Sequence, residues 1–314
     1  MTGIAVPPIC FGSAALGNVG RVIPEQSKLE ICGEWLRGAW PTVWIEVDYR
    51  HGDGMALEVL GRLLGRLDVP SEEIVINLRL DRDLSIRGEV DADDMDAAAC
   101  WERSCRLLGD AYQPKLVSVS GTNHGALQTA KQLKADGLVK GVGIVINNLH
   151  DSLRDAAGRM SAAEPDWVQL TGGFTVMRQH PAAVALLEGL ATRHIPAVLS
   201  GVFEGGFLVG GNQFDCRVVS AENPDHRAHF AWRKAYVALC DGHGIRPAHA
   251  CLQFALLTPG VTAVRIESAY ADRVAENIRS VHQSVPANFW ASMKEEGLLP
   301  EDYLLGEWRL GGTP

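Results

Sequence analysis

A (β/α)8 barrel, a closed parallel sheet ringed by helices within the α/β class, is the fold this sequence predicts. Three observations predict it. Eight short apolar runs recur along the 314 residues, most of them followed by a longer amphipathic segment. The runs are near-continuously apolar, the pattern of parallel strands covered on both faces. The turn that a doubly wound sheet needs after an early strand, Gly-x-Gly-x-x-Gly, is absent: the early turn reads Gly12-Ser13-Ala14-Ala15-Leu16-Gly17-Asn18-Val19-Gly20.

In chain order the strand runs are residues 9–16, 43–48, 74–80, 116–120, 141–146, 167–170, 197–202 and 261–266. Helical periodicity fills 57–67, 93–108, 125–136, 182–193 and 230–243, and Gly109, Gly137 and Gly244 stand where left-handed caps end such helices. Eight strand–helix units in this length fit a single barrel over 1–314. Two longer segments depart from the rhythm. Residues 203–230 form a long connection, and a tail from about 283 to 314 is expected over the barrel mouth. Both carry Phe, Trp or Tyr, which suit packing or the lining of a sugar pocket.

Composition narrows the function classes. Hydrophobic residues make up 46% and charged residues 21%, ordinary for a globular enzyme. The net charge of −9 and the lack of a Lys/Arg block argue against a nucleic-acid partner. No apolar stretch is long enough to span a bilayer, and the N-terminus lacks a basic region followed by an apolar run. The seven cysteines are scattered without a Cys-x-x-Cys pair, as expected of reduced thiols. The expectation is a cytoplasmic protein acting on a small molecule, with no membrane or nucleic-acid partner.

In a barrel, reactive groups come from the C-terminal ends of the strands. Those ends offer Glu46, Asp48 and His51 after the second run, Arg79 in the third and Ser120 at the end of the fourth, with Asn123 and His124 beyond it. Gln169 lies on the sixth run and Ser200 on the seventh. His51 is the group suited to proton exchange near neutral pH, because a histidine ring ordinarily titrates at about 6.5. A carboxylate beside it, Glu46, makes a workable general base. Glu46 with Arg79 also reads as a simple ion pair, and Asp48 and Asp53 as turn-fixing residues. Glu46, Asp48, His51 and Asp53 lack any established zinc spacing, so no metal is expected.

Several segments carry a wider resemblance. They are Trp44-Ile45-Glu46-Val47-Asp48-Tyr49-Arg50-His51-Gly52, Phe11-Gly12 with Leu16-Gly17-Asn18, and Gly141-Val142-Gly143-Ile144-Val145-Ile146-Asn147. Later come Ala248-His249-Ala250-Cys251-Leu252-Gln253-Phe254, Arg273-Val274-Ala275-Glu276-Asn277 and Pro286-Ala287-Asn288-Phe289-Trp290. Their order and spacing resemble the aldo-keto reductase family over nearly the whole chain, closest to its D-threo-aldose (L-fucose) dehydrogenase-like branch. The resemblance implies a catalytic tetrad of Asp, Tyr, Lys and His. The matching positions here are Glu46, His51, Arg79 and Ser120, and all four differ.

The resemblance also implies a nicotinamide cofactor extended across the mouth. Asn147 and Gln169 match positions near the nicotinamide, and Ser200 and the loop through Gly206 match those near the diphosphate. Ser268, Arg273, Glu276 and Asn277 match those near the adenosine. Glu267 stands where NADP-preferring members place a lysine. A carboxylate there repels a 2′-phosphate and accepts from a free ribose hydroxyl, so NAD is expected over NADP. The functional expectation is NAD-linked oxidation or reduction of a sugar or polyol. The altered tetrad leaves two alternatives: cofactor-free or metal-assisted lyase, isomerase or epimerase chemistry on a sugar, and a non-catalytic homologue.

Overall fold

The computed structural model describes residues 4–38, 40–81, 96–121, 123–147, 164–214 and 217–306. The expected barrel closes. Its strands are β1 (Ile9–Gly12), β2 (Val43–Asp48), β3 (Ile74–Arg79), β4 (Leu116–Ser120), β5 (Gly141–Asn147), β6 (Trp167–Thr171), β7 (Ala197–Ser200) and β10 (Val261–Ile266). They pair in parallel in the order β1-β10-β7-β6-β5-β4-β3-β2. The β1 run ends at Gly12 instead of reaching residue 16, because a turn begins at Ser13 and its carbonyl accepts from Leu16.

The helices are α1 (Glu25–Leu36), α2 (Met55–Arg66), α3 (Ala97–Leu108), α4 (His124–Ala135), α5 (Pro181–Thr192), α6 (Arg227–Gly242), α7 (Pro247–Leu257), α8 (Ala271–Val281) and α9 (Ala287–Glu295). Local chemistry sets their ends. The Asp96 side chain accepts from Ala99 N–H at 2.8 Å and that of Asn123 from Ala126 N–H at 3.0 Å, capping α3 and α4. Pro181 and Pro247 open α5 and α7, where a missing N–H costs nothing. Gly109, Gly137 and Gly244 all adopt positive φ at the ends where they were expected. On α2, Leu57, Leu60, Leu63 and Leu64 are buried at helical spacing. The start of the 93–108 pattern, Cys216 and Trp308 lie outside the described residues.

The connection after β7 contains two turns of 3-10 helix (Glu204–Val209), a short hairpin of β8 (Gln213–Phe214) with β9 (Arg217–Val218), and a further 3-10 turn. The tail was expected over the mouth. Through Gly306, it packs on α6 and α7: Phe289 meets His243 after α6, Tyr303 stacks on Phe254 of α7, and Gly306 N–H donates to Leu257 O. No helix among the described residues is long and apolar enough to cross a membrane.

Two layers fill the barrel interior. Cys10, Trp44, Leu116, Trp167, Val198 and Ala263 form an apolar plug toward the N-terminal ends of the strands. Trp44 and Trp167 meet edge to face at 5.2 Å. The Trp167 indole occupies the space where residue 143 would carry a side chain, so β5 needs Gly143. Strand side chains alternate, so residues two positions on share the interior. From the plug and from Val75 packed against it, these are Gly12, which has no side chain, and the polar Glu46, Asn77, Ser118, Gln169, Ser200 and Arg265. The plug is therefore the floor of a polar well that opens at the strand C-terminal ends. Replacing Trp167 by Ala removes most of that floor, and we expect a loss of about 3–5 kcal/mol. Urea unfolding of the variant measures it; a loss below about 1 kcal/mol would mean that the plug does not support the barrel.

Candidate active site

The well is organised by ions that pair differently from the sequence expectation. Glu46 is 8% exposed on β2. Its partner is Arg265 on β10, whose Nε lies 2.7 Å from Oε1, while Asn77 Nδ2 donates weakly to Oε2 at 3.5 Å. The Arg265 side chain is 12% exposed. It also contacts the Glu267 carboxylate, and its Nη1 donates to Ser200 Oγ at 3.5 Å. Burial favours the neutral guanidine, but Glu267 and Glu46 outweigh it and hold Arg265 firmly protonated. β1 must pass this group closely: a side chain at Gly12 would run into both Arg265 and Glu267.

Arg79 turns to a second acid. Its Nε donates to Asp81 Oδ1 at 2.9 Å, and Asp81 also accepts from Ser120 N–H, 2.8 Å from either oxygen. The expected Glu46–Arg79 pair is therefore not formed; each takes a closer partner two positions along a strand or across the barrel. Burial pushes the Asp81 carboxyl above its ordinary value although Arg79 and Ser120 N–H oppose the shift. Ser120, where the resembling family has histidine, is fixed through its backbone by this carboxylate.

His51 sits in the turn after β2. The turn is built locally: Gly52, Asp53 and Gly54 all take positive φ, and Gly54 N–H donates to Tyr49 O at 2.6 Å. Asp48 accepts from Arg50 N–H at 2.9 Å, so its turn-fixing role is realised. The His51 ring is half-buried, and its Nδ1 lies 3.1 Å from the buried Ser13 hydroxyl in the loop after β1. Nε2 has no partner among the described residues. Glu46, Asp48 and His51 are thus committed to Arg265, Arg50 and Ser13, and the Glu46–His51 acid–base pair expected from sequence is replaced by these separate contacts.

The positions matched to a cofactor spread along the mouth. Asn147 and Ser200 are buried at the ends of β5 and β7, and Gln169 is buried in the middle of β6. Gly205 and Gly206 adopt φ of 66° and 93°, turning the backbone after β7. That loop is anchored by Glu204, which accepts from Thr175 Oγ1 at 2.9 Å and from Arg178 Nε at 3.0 Å. Ser268 closes a turn with Tyr270 N–H at 3.1 Å, and the Arg273 and Arg21 guanidinium groups lie 4.6 Å and 4.9 Å from the Tyr270 ring centroid. Asn277 is buried in α8, whereas Glu276 pairs with Arg246 on the outer surface. Glu267, expected near the adenosine ribose, contacts Arg265. It stands two residues after Arg265 on the same strand face, and the guanidinium draws it into the mouth.

Sequence reading missed Arg265, Asp81, Ser13 and Arg21. A charge inside the apolar run 261–266 signalled Arg265, and the two-residue spacing from Arg79 signalled Asp81. No local signal marked Ser13 or Arg21. We expect Arg79→Met to leave Asp81 buried without its cation and to cost about 3–5 kcal/mol in urea unfolding. The double variant Arg79→Met with Asp81→Asn should recover most of that; if it is no more stable than Arg79→Met, the pair does not carry the effect.

The comparisons agree with this geometry. The family model described as "Aldo/keto reductase family" matches residues 8–296. The chain is 24% identical to a D-threo-aldose 1-dehydrogenase of a Pseudomonas species, over 95% of this chain and 96% of that protein. It is 28% identical to a pyridoxal 4-dehydrogenase of Microbacterium luteolum, over 57% of this chain and 50% of that protein. Among solved structures, an aldo/keto reductase from Klebsiella pneumoniae in complex with NADP and acetate superimposes with a TM-score of 0.65 at 15% identity, covering 97% of this chain and 96% of that one. A closed eight-stranded parallel barrel, a polar well at the strand C-terminal ends and a family match over nearly the whole length place this chain in the aldo/keto reductase family.

Proposed function

We propose that the protein is a nicotinamide-dependent oxidoreductase of a sugar or polyol in which His51 exchanges the proton with the substrate oxygen. The observation that carries this reading is the fixed His51 ring, with Nδ1 held by Ser13 at the rim of the polar well. The sugar class is supported by the likeness to a D-threo-aldose 1-dehydrogenase over nearly the full length of both chains. The well suits such a substrate, since Ser120, Asn147 and Ser200 stand at the ends of β4, β5 and β7, with Gln169 inside β6 between them.

The mouth fits a dinucleotide. The buried amides of Asn147 and Gln169 would hold the nicotinamide end, the backbone of Gly205 and Gly206 would approach the diphosphate, and the first turn of α8 would meet the adenosine. Bound there, the nicotinamide accepts or supplies hydride. This chain's residues do the rest. His51 takes the proton from an alcohol, or returns it to a carbonyl oxygen. Arg79, fixed by Asp81, sets a positive field at the rim. The apolar plug below keeps the reacting groups at the mouth.

The arginines of the mouth stand against the preference for NAD expected from Glu267, which also pairs with Arg265. Arg273 and Arg21 instead bring two guanidinium groups to the adenosine end, and guanidinium matches a 2′-phosphate well. The proposal is therefore that NADP binds at least as tightly as NAD. Calorimetric titration of nucleotide-free protein with NAD, NADH, NADP and NADPH tests it. Binding of none of the four removes the oxidoreductase reading, and a clear NAD preference removes the role given to the arginines. With a turned-over aldose or polyol in hand, His51→Ala should lower kcat by about 10²–10⁴-fold while nucleotide Kd holds. Full activity in that variant would assign the proton to another group.

A further inference from the structure

We propose that the Arg178–Glu204 ion pair sets the shape of the loop after β7, and that Glu204 is a positioning residue for the diphosphate of the nucleotide; this rests on the place given to that loop in the cofactor reading above.

The backbone at Glu204 suits another residue type. Six non-glycine residues take positive φ among those described, and Glu204, at 51°, is the one that is buried, with 3% exposure. Asparagine and aspartate tolerate this conformation because a short polar side chain bonds locally, an advantage glutamate lacks. Glu204, Gly205 and Gly206 are left-handed in succession and bend the chain sharply. Strain of this kind persists only where the surroundings over-determine it, and it gathers where ligands are held.

The surroundings are a clasp from the loop after β6. Thr175 and Arg178 close a tight turn, with Thr175 N–H donating to Arg178 O at 2.7 Å and Arg178 N–H to Thr175 O at 3.1 Å. Both side chains of that turn reach one carboxylate. Thr175 Oγ1 donates to Glu204 Oε1 at 2.9 Å. Arg178 donates to Oε1 from Nε at 3.0 Å and to Oε2 from Nη2 at 2.7 Å, a two-pronged pairing. The guanidinium also lies 4.7 Å from the Phe214 ring centroid. Phe214 in turn meets Phe207 edge to face at 5.4 Å. One arginine therefore grips the loop at its bend and at the hairpin that follows.

A glycine or asparagine at 204 would give the same bend with less strain. What glutamate adds is reach: its carboxylate ties the loop that follows Gln169 to the loop that follows Ser200. Those two strands are the ones assigned above to the nicotinamide end and to the diphosphate. Arg178 also cancels the carboxylate charge where it is buried, so the loop gains a fixed bend without turning a negative charge toward a diphosphate. A loop already held in its bound shape leaves less to order when the nucleotide arrives.

The test uses nucleotide-free protein and two readouts. Glu204→Asn keeps a residue at ease in the left-handed conformation but too short to reach the clasp. Amide hydrogen exchange across residues 201–211 should be about ten-fold faster or more in this variant. NMR titrations with ADP and with adenosine, which share base and ribose, then isolate the diphosphate. Glu204→Asn should raise the Kd of ADP by about ten-fold or more, with that of adenosine within about two-fold. The double variant Arg178→Met with Glu204→Gln, which leaves no buried charge unpaired, should behave in the same way. An unchanged Kd for ADP in either variant would overturn the positioning role. An equal loss for ADP and adenosine would overturn it too, because general loosening weakens both. Unchanged exchange in 201–211 would show that the clasp does not shape the loop. If the wild-type protein binds neither ADP nor any dinucleotide, the cofactor reading falls and the role at the diphosphate falls with it, while the exchange result still decides the clasp.

Discussion

A guanidinium inside a barrel is the constraint on which the rest of this site depends. Arg265 enters the well from the last strand, and a charge so far from water persists only if carboxylates meet it. Two do. Glu46 meets it from β2, the strand next but one around the barrel, and Glu267 from the end of its own strand. Gly12, on the strand between β2 and β10, is the complement: with no side chain it lets the guanidinium and both carboxylates close up across β1. Removing Arg265 leaves two carboxylates without their cation, and a side chain at Gly12 brings a steric conflict.

The resemblance to the family implied one acid, one cation and one proton donor drawn from β2, its following turn and β3. The chain keeps that inventory and redistributes it. The β2 acid now answers to a cation on β10. The β3 cation is bound to Asp81, an acid two residues along, which in turn pins Ser120 through its backbone. His51, the residue proposed to exchange the proton, is held by a serine from the loop after β1. Arg79 pairs with Asp81, and Arg265 is shared by Glu46 and Glu267, so each cation of the well is met by an acid.

The barrel itself was legible. Near-continuous apolar runs marked all eight strands, and their ends were set within a few residues, except after β1, where Ser13 begins a turn that the apolar composition of 14–16 conceals. Glycine caps at 109, 137 and 244 marked helix ends correctly. Glu46, Arg79, Ser120, Asn147, Gln169 and Ser200 were legible as residues of the mouth, because strand ends in a parallel barrel project there whatever their partners. Their partners were not legible. Arg79 with Asp81 is an i, i+2 pair whose meaning depends on the strand continuing past Arg79. Ser13 and His51 are 38 residues apart and meet only because β1 and β2 are neighbours.

By itself the sequence determined the fold class, the family and the set of polar residues that reach the mouth, since these follow from strand periodicity and from motifs in fixed order. The tertiary structure decided which charges pair. Ion pairing in a closed barrel depends on register and on adjacency around the ring, and β10 is brought beside β1 and within reach of β2 only when the ring closes. Glu267 shows the difference. Nothing along the chain marks its contact with the guanidinium two residues before it, which the closed barrel brings about.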